Sequence, residues 1–331
     1  MTVVVGVDGG NTKTIALVVD MNGSILGAGR GGNSDIYPHG TAVSAVNVIE
    51  SASAHALDQA GLSREAISAG AYSLAGADWR EDYDEYRDEL LKRGLGQSVT
   101  VYNDAIGALR AGSPDGTGVV INAGTGAAIG ARNAQGKFWH TSYWQDSLGG
   151  RELGYQALRA VRHADIGIEP PTTLTPVVLR FFAVESCADL LRLFTLRGSQ
   201  APNDIQVSKL APYVLTEAEN GDAVAGALVI DQSKRLVDYA LAAARQVGIE
   251  QKPFHLVLNG GLFRHPSTLL KDSITAQIRE VVPGVTIHAS RFEPVVGAVL
   301  LAWEALDVPI TPAMLANLEA TMPANATFET K

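Results

Sequence analysis

The amino-terminal stretch decides the fold: it reads Val3-Val4-Val5-Gly6-Val7-Asp8-Gly9-Gly10-Asn11-Thr12-Lys13-Thr14, and a second apolar run follows over residues 15–19. The β-branched run that begins at Val3 predicts a strand buried on both faces. The Gly9-Gly10-Asn11 step predicts a tight hairpin turn with positive φ angles, because glycine adopts such angles at little cost. Residues 15–19 predict the return strand of this hairpin.

The same turn also has the chemistry of a phosphate-binding loop. Its two glycines leave backbone N–H groups unobstructed, so phosphate oxygens can approach them closely. Asp8, at the end of the strand, is placed to hold a hydrated Mg²⁺ beside those phosphates. A plain hairpin in which Asp8 is only a turn former explains the stretch equally well, since Asp-Gly-Gly is common in turns. The rest of the chain has to decide between the two interpretations.

Composition narrows the functional classes. The chain has 331 residues, which is long enough for two domains, and a net charge of −9 with no dense run of Lys and Arg. That charge argues against a nucleic-acid partner or an acidic membrane surface. The first residues predict a strand rather than a signal peptide, and no apolar run approaches the roughly 20 residues needed to span a bilayer. A soluble, cytoplasmic protein is therefore expected. Cys187 is the single cysteine, which excludes an intrachain disulfide framework.

The order of predicted elements repeats along the chain. The first third predicts three hairpin strands, a helix from Thr41 to about Gly61, a strand, a charged helix, and a strand ending at Tyr102. The second part opens again with a hairpin, whose glycine-rich turn lies between strands at 118–122 and 127–132, and continues with helices and strands. This repetition indicates a duplicated architecture of class α/β, although the two halves do not share sequence.

Five short motifs, in the expected order over about residues 3 to 305, resemble those of the actin, heat-shock-chaperone and sugar-kinase superfamily. They are Asp8–Thr12 (first phosphate motif), Tyr102–Ala105 (first connecting segment), Asn122–Gly126 (second phosphate motif), Leu258–Gly261 (adenosine motif) and Pro294–Ala298 (second connecting helix). The wording of Ala75-Gly76-Ala77-Asp78 and of residues 103–105 is most similar to the BadF/BadG/BcrA/BcrD-type ATPases, the branch that includes N-acetylglucosamine kinase.

The resemblance implies an α/β protein with two ribonuclease-H-like lobes, the actin-like ATPase fold, with ATP and Mg²⁺ in the cleft between them. It implies an N-terminal lobe over residues 1–115 and a C-terminal lobe with a helical insertion over residues 116–297. A C-terminal helix over about residues 298–320 is expected to pack back on the first lobe. The resemblance is also compatible with a homodimer.

The resemblance implies three sets of site residues. For ATP they are Gly9, Gly10, Asn11, Thr12, Lys13, Gly124, Thr125, Gly126, Gly260 and Gly261, and for Mg²⁺, held through water, Asp8. For a sugar substrate they are Asn33, Ser34, Asp35, Gly76, Asp78, Asp104, Arg151 and Glu152.

Asp104 is the expected general base. It ends a buried strand and opens a helix, whose N-terminus favours the ionised carboxylate. A sugar hydroxyl is a poor nucleophile until a carboxylate within hydrogen-bond reach accepts its proton. The alternative is that Asp104 is only the N-cap of this helix, which alone would explain an aspartate there.

One segment departs from the family's sugar kinases. Those kinases carry Gly-Asp-Glu-Gly-Ser at the start of the helix after the second hairpin, and its acids help to hold the sugar. Here Gly150 and Arg151 stand in place of the acids. Replacing two acceptors by a glycine and a donor changes the recognition chemistry, and an arginine suits a carboxylate or phosphate on the substrate. The alternative is that Arg151 pairs with Glu152 or another surface acid.

The expected function is an ATP-dependent kinase that transfers the γ-phosphoryl group to a hydroxyl of a hexose, an amino sugar or an N-acetylated amino sugar such as N-acetylglucosamine. One alternative is a non-catalytic nucleotide or sugar sensor. The other is an activator ATPase of a dehydratase, whose [4Fe–4S] cluster is ligated by cysteines of two subunits. A single cysteine per chain argues against the activator, and the sequence leaves open which sugar and which hydroxyl are used.

Overall fold

The computed structural model of the chain describes residues 1–198, 201–324 and 327–328. The chain divides into two compact units. The first comprises Met1–Gly118, Gly130–His140 and the chain from Ser290 on, and the second comprises Val119–Ile129 and Thr141–Ala289. Residues 130–140 and 290–297, which the sequence analysis assigned to the second lobe, lie here with the first unit.

In the described part of the chain, ten strands form two sheets. In chain order they are β1 (Val3–Gly9), β2 (Thr14–Asp20), β3 (Ile25–Gly31), β4 (Ile67–Leu74), β5 (Ser98–Asn103), β6 (Gly118–Ala123), β7 (Ala127–Arg132), β8 (Phe138–His140), β9 (His255–Asn259) and β10 (Thr286–Ala289). The first sheet has the order β3-β2-β1-β4-β5 and the second the order β10-β9-β6-β7-β8.

The described helices surround these sheets. In chain order they are α1 (Ile36–His39), α2 (Ala42–Ala60), α3 (Arg80–Lys92), α4 (Asp104–Gly112), α5 (Gly150–Asp165), α6 (Leu174–Phe181), α7 (Cys187–Thr195), α8 (Asp204–Ser208), α9 (Ala211–Glu219), α10 (Ala223–Gln246), α11 (Leu269–Val281), α12 (Pro294–Glu304) and α13 (Pro312–Ala320). Within the described part of the chain, none of them combines the length and the apolar character that a membrane span requires.

The first strand is buried on both faces, as its sequence predicts. Val3, Val5 and Val7 pack in one core with the apolar face of α2, whereas Val4 packs on the other face of the sheet with residues of α12. Side chains of a strand alternate between its faces, so an unbroken apolar run is what a strand between two helix layers requires. The first unit is therefore a sheet covered by helices on both sides.

The strand directions place three strand ends at one edge of the first sheet. β1 pairs antiparallel with β2, and β2 with β3, while β4 pairs parallel with both β1 and β5. The carboxyl ends of β1, β4 and β5 therefore lie side by side, and the polar residues that follow them share one edge. In the second sheet β6 and β10 flank β9 in parallel, so residues 122 and 259 lie opposite each other.

The predicted turn at residues 9–11 is wrong in its detail. None of Gly9, Gly10 and Asn11 has a positive φ angle. Gly9 pairs with Thr14, so residues 10–13 form a longer loop, closed by the Gly10 N–H donating to the Lys13 carbonyl oxygen at 2.9 Å. Glycine is needed at position 9 for a different reason, because a Cβ there would collide with the Ser34 hydroxyl and the Leu74 side chain.

Two helix ends illustrate where local sequence decides and where it does not. The Thr41 side chain caps α2 and Gly61, at φ 64°, ends it, which confirms the helix predicted over these residues. The single C-terminal helix expected over about residues 298–320 is instead two helices, α12 and α13. Asp307 has a φ of 53°, and Pro309 follows two residues later; both interrupt a helix.

Helices α4 and α12 cross at two glycines in the first unit. A Cβ on Gly297 of α12 would collide with the Gly107 carbonyl oxygen and the Ala111 nitrogen of α4. Further along, the Arg110 guanidinium of α4 donates to Glu304 at the end of α12, at 2.5 Å. Because α4 starts with Asp104, this crossing sets the position of that carboxylate.

We expect Gly297→Ala to lower the free energy of unfolding by about 1–3 kcal/mol, because the added methyl group must push two packed backbones apart. Gly226→Ala, in α10, is the matched control. It is also a helical glycine but has open space around a Cβ, so alanine should raise the free energy of unfolding by up to about 1 kcal/mol. Urea unfolding of both variants measures the difference, and equal effects of the two substitutions would contradict the packing argument.

Candidate active site

Four carboxyl groups gather at the carboxyl edge of the first sheet. Asp8 is the second-last residue of β1, and Asp35 directly precedes α1. Asp78 follows β4, and Asp104 is the first residue of α4. Burial, followed by the negative charges of Asp8, Asp78 and Asp35, raises the pKa of Asp104 to about 7, although the Ala105 backbone N–H opposes the shift. The sequence analysis named all four residues, and the structure brings them together.

Asp8 has a similar environment. Burial raises its pKa to about 6; the positive charge of Lys13 works against this and the negative charge of Glu293 adds to it. Within the first unit the site thus carries more negative than positive charge, and each added negative charge makes ionising the next carboxyl less favourable. This is the electrostatic environment that a divalent cation would stabilise.

The Asn103 side chain contacts Asp78 and the first turn of α4, which begins with Asp104. Its Oδ1 accepts a hydrogen bond from the Ala105 N–H at 3.1 Å, and its Nδ2 donates to Asp78 Oδ1 at 3.0 Å. Asn103 is therefore the N-cap of α4, so the alternative that Asp104 merely caps this helix is wrong. The sequence analysis did not assign Asn103 a role, although asparagine before the first helical residue is a preferred N-cap and was a usable signal.

The loops that contain Ser34 and Ala75 are hydrogen-bonded to the first glycine-rich turn, at Gly9 and Gly10. The Gly10 carbonyl oxygen accepts from the Ser34 N–H at 3.2 Å, and that of Gly9 accepts from the Ala75 N–H at 2.7 Å. Ser34 is fully buried, and its hydroxyl accepts a hydrogen bond from Thr14 Oγ1 at 2.8 Å. Its side chain therefore supports the loop from inside.

The neighbouring polar groups are held in place by local bonds. The Asn33 side chain accepts from the Asp35 N–H at 2.7 Å, and the Asp35 carboxylate accepts from the Tyr37 N–H at 2.9 Å. Gly76 has a φ of 80° and lies against Asp35 so closely that a Cβ would collide with its carboxylate. The loops that contain Asn33, Gly76 and Asp78 thus form one continuous wall beside Asp104.

The first phosphate turn also presents three polar side chains. Asn11 is exposed, and Thr12 and Lys13 are half-buried. The Lys13 ammonium donates to the backbone carbonyl oxygen of Phe328 and also lies near enough to Asp8 to lower its pKa. Lys13 therefore brings a positive charge close to Asp8.

The second glycine-rich turn is joined directly to α5. The Gly124 N–H donates to the Gly126 carbonyl oxygen at 2.9 Å, and the Gly150 and Arg151 N–H groups donate to the carbonyl oxygens of Gly124 and Thr125 at 2.8 and 2.7 Å. A Cβ built on Gly124 or Gly126 would meet no atom within 4 Å, and Thr125 is exposed. The turn thus has open space in the directions in which side chains at positions 124 and 126 would point.

The predicted adenosine motif lies beside that turn. Gly260 has a φ of 100°, and a Cβ on it would collide with the backbone of Ala123, so this glycine is required by the packing of its own unit. Gly261 faces open space. Asn259 Oδ1 accepts a hydrogen bond from the Gly260 N–H at 2.7 Å, and the buried Asn259 Nδ2 has no hydrogen-bond partner.

Arg151 and Glu152, which the sequence analysis placed near the sugar, are both engaged in ion pairs. Arg151 Nη1 contacts Asp204 Oδ2 at 3.0 Å, and the Tyr155 hydroxyl donates to the other oxygen of that carboxylate at 2.8 Å. Glu152 accepts from Arg235 Nη1 at 3.2 Å. The alternative in which Arg151 pairs with another surface acid is therefore confirmed, and the acid comes from α8.

These residues fit a nucleotide and Mg²⁺. The open space at Gly124, Gly126 and Gly261 lets a ligand approach the backbone closely there, which favours phosphate binding by a glycine-rich turn. Among the described residues no group of three or more His, Cys, Asp and Glu side chains is arranged to enclose a metal ion. Mg²⁺ commonly keeps several waters and uses only one or two protein carboxylates, so a single carboxylate such as that of Asp8 would fit this ion.

Two five-stranded mixed sheets with covering helices, and a glycine-rich turn after the first strand of each, give this chain the actin-like ATPase fold. The chain belongs to the BadF/BadG/BcrA/BcrD ATPase family, whose model matches residues 5–302. This confirms the family predicted from the five motifs.

The relatives are sugar kinases by name. The chain is 28% identical over 318 residues to an N-acetyl-D-glucosamine kinase of Dictyostelium discoideum, which covers 90% of this chain and 97% of that protein. It is 25% identical over 311 residues to an N-acetylmuramic acid/N-acetylglucosamine kinase of Clostridium acetobutylicum, with 93% and 100% covered.

A solved structure of a candidate N-acetylglucosamine kinase from Chromobacterium violaceum matches with a TM-score of 0.68 and 24% identity, over 91% of this chain and 99% of that chain. A glucokinase of the ROK family from Streptomyces griseus matches with a TM-score of 0.55 and 22% identity, over 92% and 99%. These structural likenesses support the fold.

We expect Asp104→Asn to raise the melting temperature by several degrees at pH 8 in the presence of EDTA. A carboxyl with a raised folded-state pKa is ionised in both the folded and the unfolded protein at pH 8, so its buried charge destabilises the fold. As the pH falls through 7, the wild-type carboxyl becomes protonated in the folded protein, and the advantage of asparagine should shrink towards pH 5.

Asp231→Asn, an exposed aspartate on α10, is the control and should change the melting temperature little at either pH. Differential scanning calorimetry at the two pH values measures both variants. A melting temperature of Asp104→Asn that is equal to or below the wild-type value at pH 8 would contradict the electrostatic argument.

Proposed function

We propose that this chain is an ATP-dependent kinase that transfers the γ-phosphoryl group of ATP to a hydroxyl of an amino sugar, with N-acetylglucosamine or a related N-acylated sugar as the substrate. Membership of the ATPase family and the names of the curated relatives support the reaction class. The proposal covers the choice of sugar, the role of Mg²⁺ and the role of each site residue.

The observation that carries the proposal is Asp104. It is a mostly buried carboxyl with a pKa of about 7, held at the N-terminus of α4 beside three other acids. A general base works best when its pKa is near the working pH, because it is then largely ionised yet still accepts a proton readily. We assign Asp104 the role of accepting the proton of the sugar hydroxyl as its oxygen forms the new bond to the γ-phosphorus and ADP leaves.

The phosphates are proposed to be bound by backbone and side-chain donors. Gly9, Gly126 and Thr125 are proposed to supply N–H and hydroxyl groups, and Asn11, Thr12 and Lys13 extend the first turn. The N–H groups of Gly10 and Gly124 donate within their own turns, so these two glycines contribute by letting phosphate oxygens approach the backbone closely. Mg²⁺, when bound, neutralises charge on the transferring phosphoryl group. Asp8 holds the water shell of that ion by accepting hydrogen bonds. Gly260 and Gly261 are proposed to receive the adenosine, with space at Gly261 for the ring.

The sugar is proposed to lie against the loop wall of the first unit. Asn33, Asp35 and Asp78 offer acceptors and one amide donor to the sugar hydroxyl groups, while Gly76 lets the Asp35 carboxylate lie close against the backbone. In the second unit, Arg151 and Glu152 are proposed as further contacts, with Asp204 and Arg235 fixing their orientation. The guanidinium of Arg151 gives this chain a donor where the family's sugar kinases have an acceptor.

The proposal predicts ATP consumption with at least one member of a panel of hexoses, hexosamines and N-acyl hexosamines. Asp104→Asn should reduce kcat by about 10²–10⁴-fold, because the hydroxyl proton loses its acceptor, whereas the dissociation constant for ATP should change less than about threefold. A coupled assay for ADP and calorimetric titration of ATP measure the two quantities.

Asp115→Asn, in the turn after α4, is the matched control. This aspartate accepts hydrogen bonds from Ser113 and Thr117 and lies outside the acidic group, so kcat should remain near the wild-type value. Binding of ATP and of a sugar without any phosphoryl transfer would instead identify a sensor and overturn the proposal.

The pH dependence follows from the two raised pKa values. Below pH 7 Asp104 becomes protonated and cannot accept the hydroxyl proton, so kcat/KM for the sugar should fall about tenfold per pH unit. Below about pH 6 Asp8 is protonated as well, and the slope should steepen. Initial rates between pH 5 and 9 at saturating Mg²⁺ and ATP give the profile, and a flat profile down to pH 5 would exclude Asp104 as the base.

A further inference from the structure

We propose that Tyr83 of α3 and His140 of β8 form a hydrogen-bonded pair that positions the catalytic base, an inference that rests on the kinase reaction proposed above. The Tyr83 hydroxyl lies 2.8 Å from His140 Nε2. Both residues belong to the first unit, and neither contributes a group to the proposed phosphate or sugar contacts. They are positioning residues, which act through Asn103.

Tyr83 reaches the base through the backbone of Asn103. A hydrogen bond from the Asn103 backbone to the tyrosine hydroxyl favours the ionised form of Tyr83, although burial and the charges of Asp78, Asp104 and Asp82 together hold the Tyr83 pKa far above its ordinary value. The phenol therefore stays protonated at physiological pH. The groups described around the Tyr83 hydroxyl are the Asn103 backbone N–H, the carboxylates of Asp78, Asp82 and Asp104, and His140 Nε2.

This arrangement determines the direction of the hydrogen bonds. The tyrosine oxygen accepts from the Asn103 N–H, and its own proton is then directed to His140. Burial lowers the pKa of His140 to about 4, so the imidazole is neutral and its Nε2 can accept that proton. The chain of hydrogen bonds runs from Asn103 N–H to Tyr83 to His140, and this requires the histidine tautomer that carries its proton on Nδ1.

Fixing Asn103 fixes two acids at once. The Asn103 side chain caps α4 by accepting from the Ala105 N–H and holds Asp78 by donating to its carboxylate. Asp104 is the next residue after Asn103, so a shift of the Asn103 backbone changes where its carboxylate points. A displacement of about 1 Å at a reacting group is enough to lower a rate about a hundredfold.

Aromatic packing keeps Tyr83 in this position. Its ring meets the ring of Phe138 edge to face, with centroids 6.1 Å apart, and that of His140 with centroids 6.4 Å apart. Tyr102 packs on the other side of the same Phe138, at 5.6 Å. Edge-to-face contacts at these distances are favourable, so the phenol is held by packing and only its hydroxyl is used for hydrogen bonding.

The test is a double-mutant cycle of Tyr83→Phe and His140→Leu. Tyr83→Phe keeps the ring contacts and removes the hydroxyl, so we expect kcat to fall about 10- to 100-fold while KM for ATP changes less than about twofold. His140→Leu should have a similar effect, and the double variant should be no worse than either single variant, because both remove the same chain of hydrogen bonds.

Two further variants separate positioning from general loss of structure. His140→Gln offers an amide oxygen to the tyrosine proton and should restore kcat to within about threefold of wild type. Tyr102→Phe removes the hydroxyl of another largely buried tyrosine on the same Phe138, but the charges that act on Tyr102 are those of Arg132 and Glu304, so its kcat should be unchanged.

A measurement that does not need activity separates this inference from the proposed function. Hydrogen exchange at the amides of Asn103 and Ala105, followed by mass spectrometry of peptides over residues 98–110, should be at least tenfold faster in Tyr83→Phe and unchanged in Tyr102→Phe. If the wild-type protein phosphorylates no sugar, the proposed function fails and this exchange experiment still decides the hydrogen-bond chain. Additive effects in the cycle, or equal exchange in the two tyrosine variants, would overturn the positioning role.

Discussion

The burial of carboxyl groups close to one another is the constraint on which the first unit depends. Burial raises the pKa of Asp8 to about 6, and burial together with the negative charges of Asp8, Asp78 and Asp35 raises the pKa of Asp104 to about 7. Such a group of acids destabilises the fold at neutral pH unless a cation binds. Protein structures retain arrangements of this kind mainly where chemistry needs them. The same burial and repulsion that oppose stability bring Asp104 to the pKa that a general base requires.

The parallel strands convert distant sequence positions into this one group. β1, β4 and β5 all end at the same edge of the sheet, so the residues after each strand meet although about 95 residues separate Asp8 from Asp104. The crossing of α4 over α12 at Gly107 and Gly297 then sets how far α4 lies from the sheet. Asn103 completes the arrangement from the side of β5, because its amide contacts both Asp78 and the first turn of α4.

The second unit shows how a distant segment supplies the partner of one side chain. Arg151 stands at the start of α5, where its backbone N–H is already bonded to Thr125. The guanidinium could not remain unpaired beside a helix N-terminus without a cost, and α8 supplies Asp204 as its partner. This partner lies 53 positions further along the chain.

The sequence determined the order and type of most strands and helices, the duplicated architecture and the family, and it named the four acidic residues that the structure brings together in the first unit. It could do so because burial on both faces, helix caps and glycine-rich turns are local patterns with periods that the chain itself displays. The tertiary structure decided what depends on contacts between distant segments: the reason for glycine at positions 9 and 260, the role of Asn103 as the cap of α4, the break between α12 and α13 and the partner of Arg151. A side chain's partner, its distance and the burial that shifts its pKa are set by residues far away in the chain, and no local pattern records them.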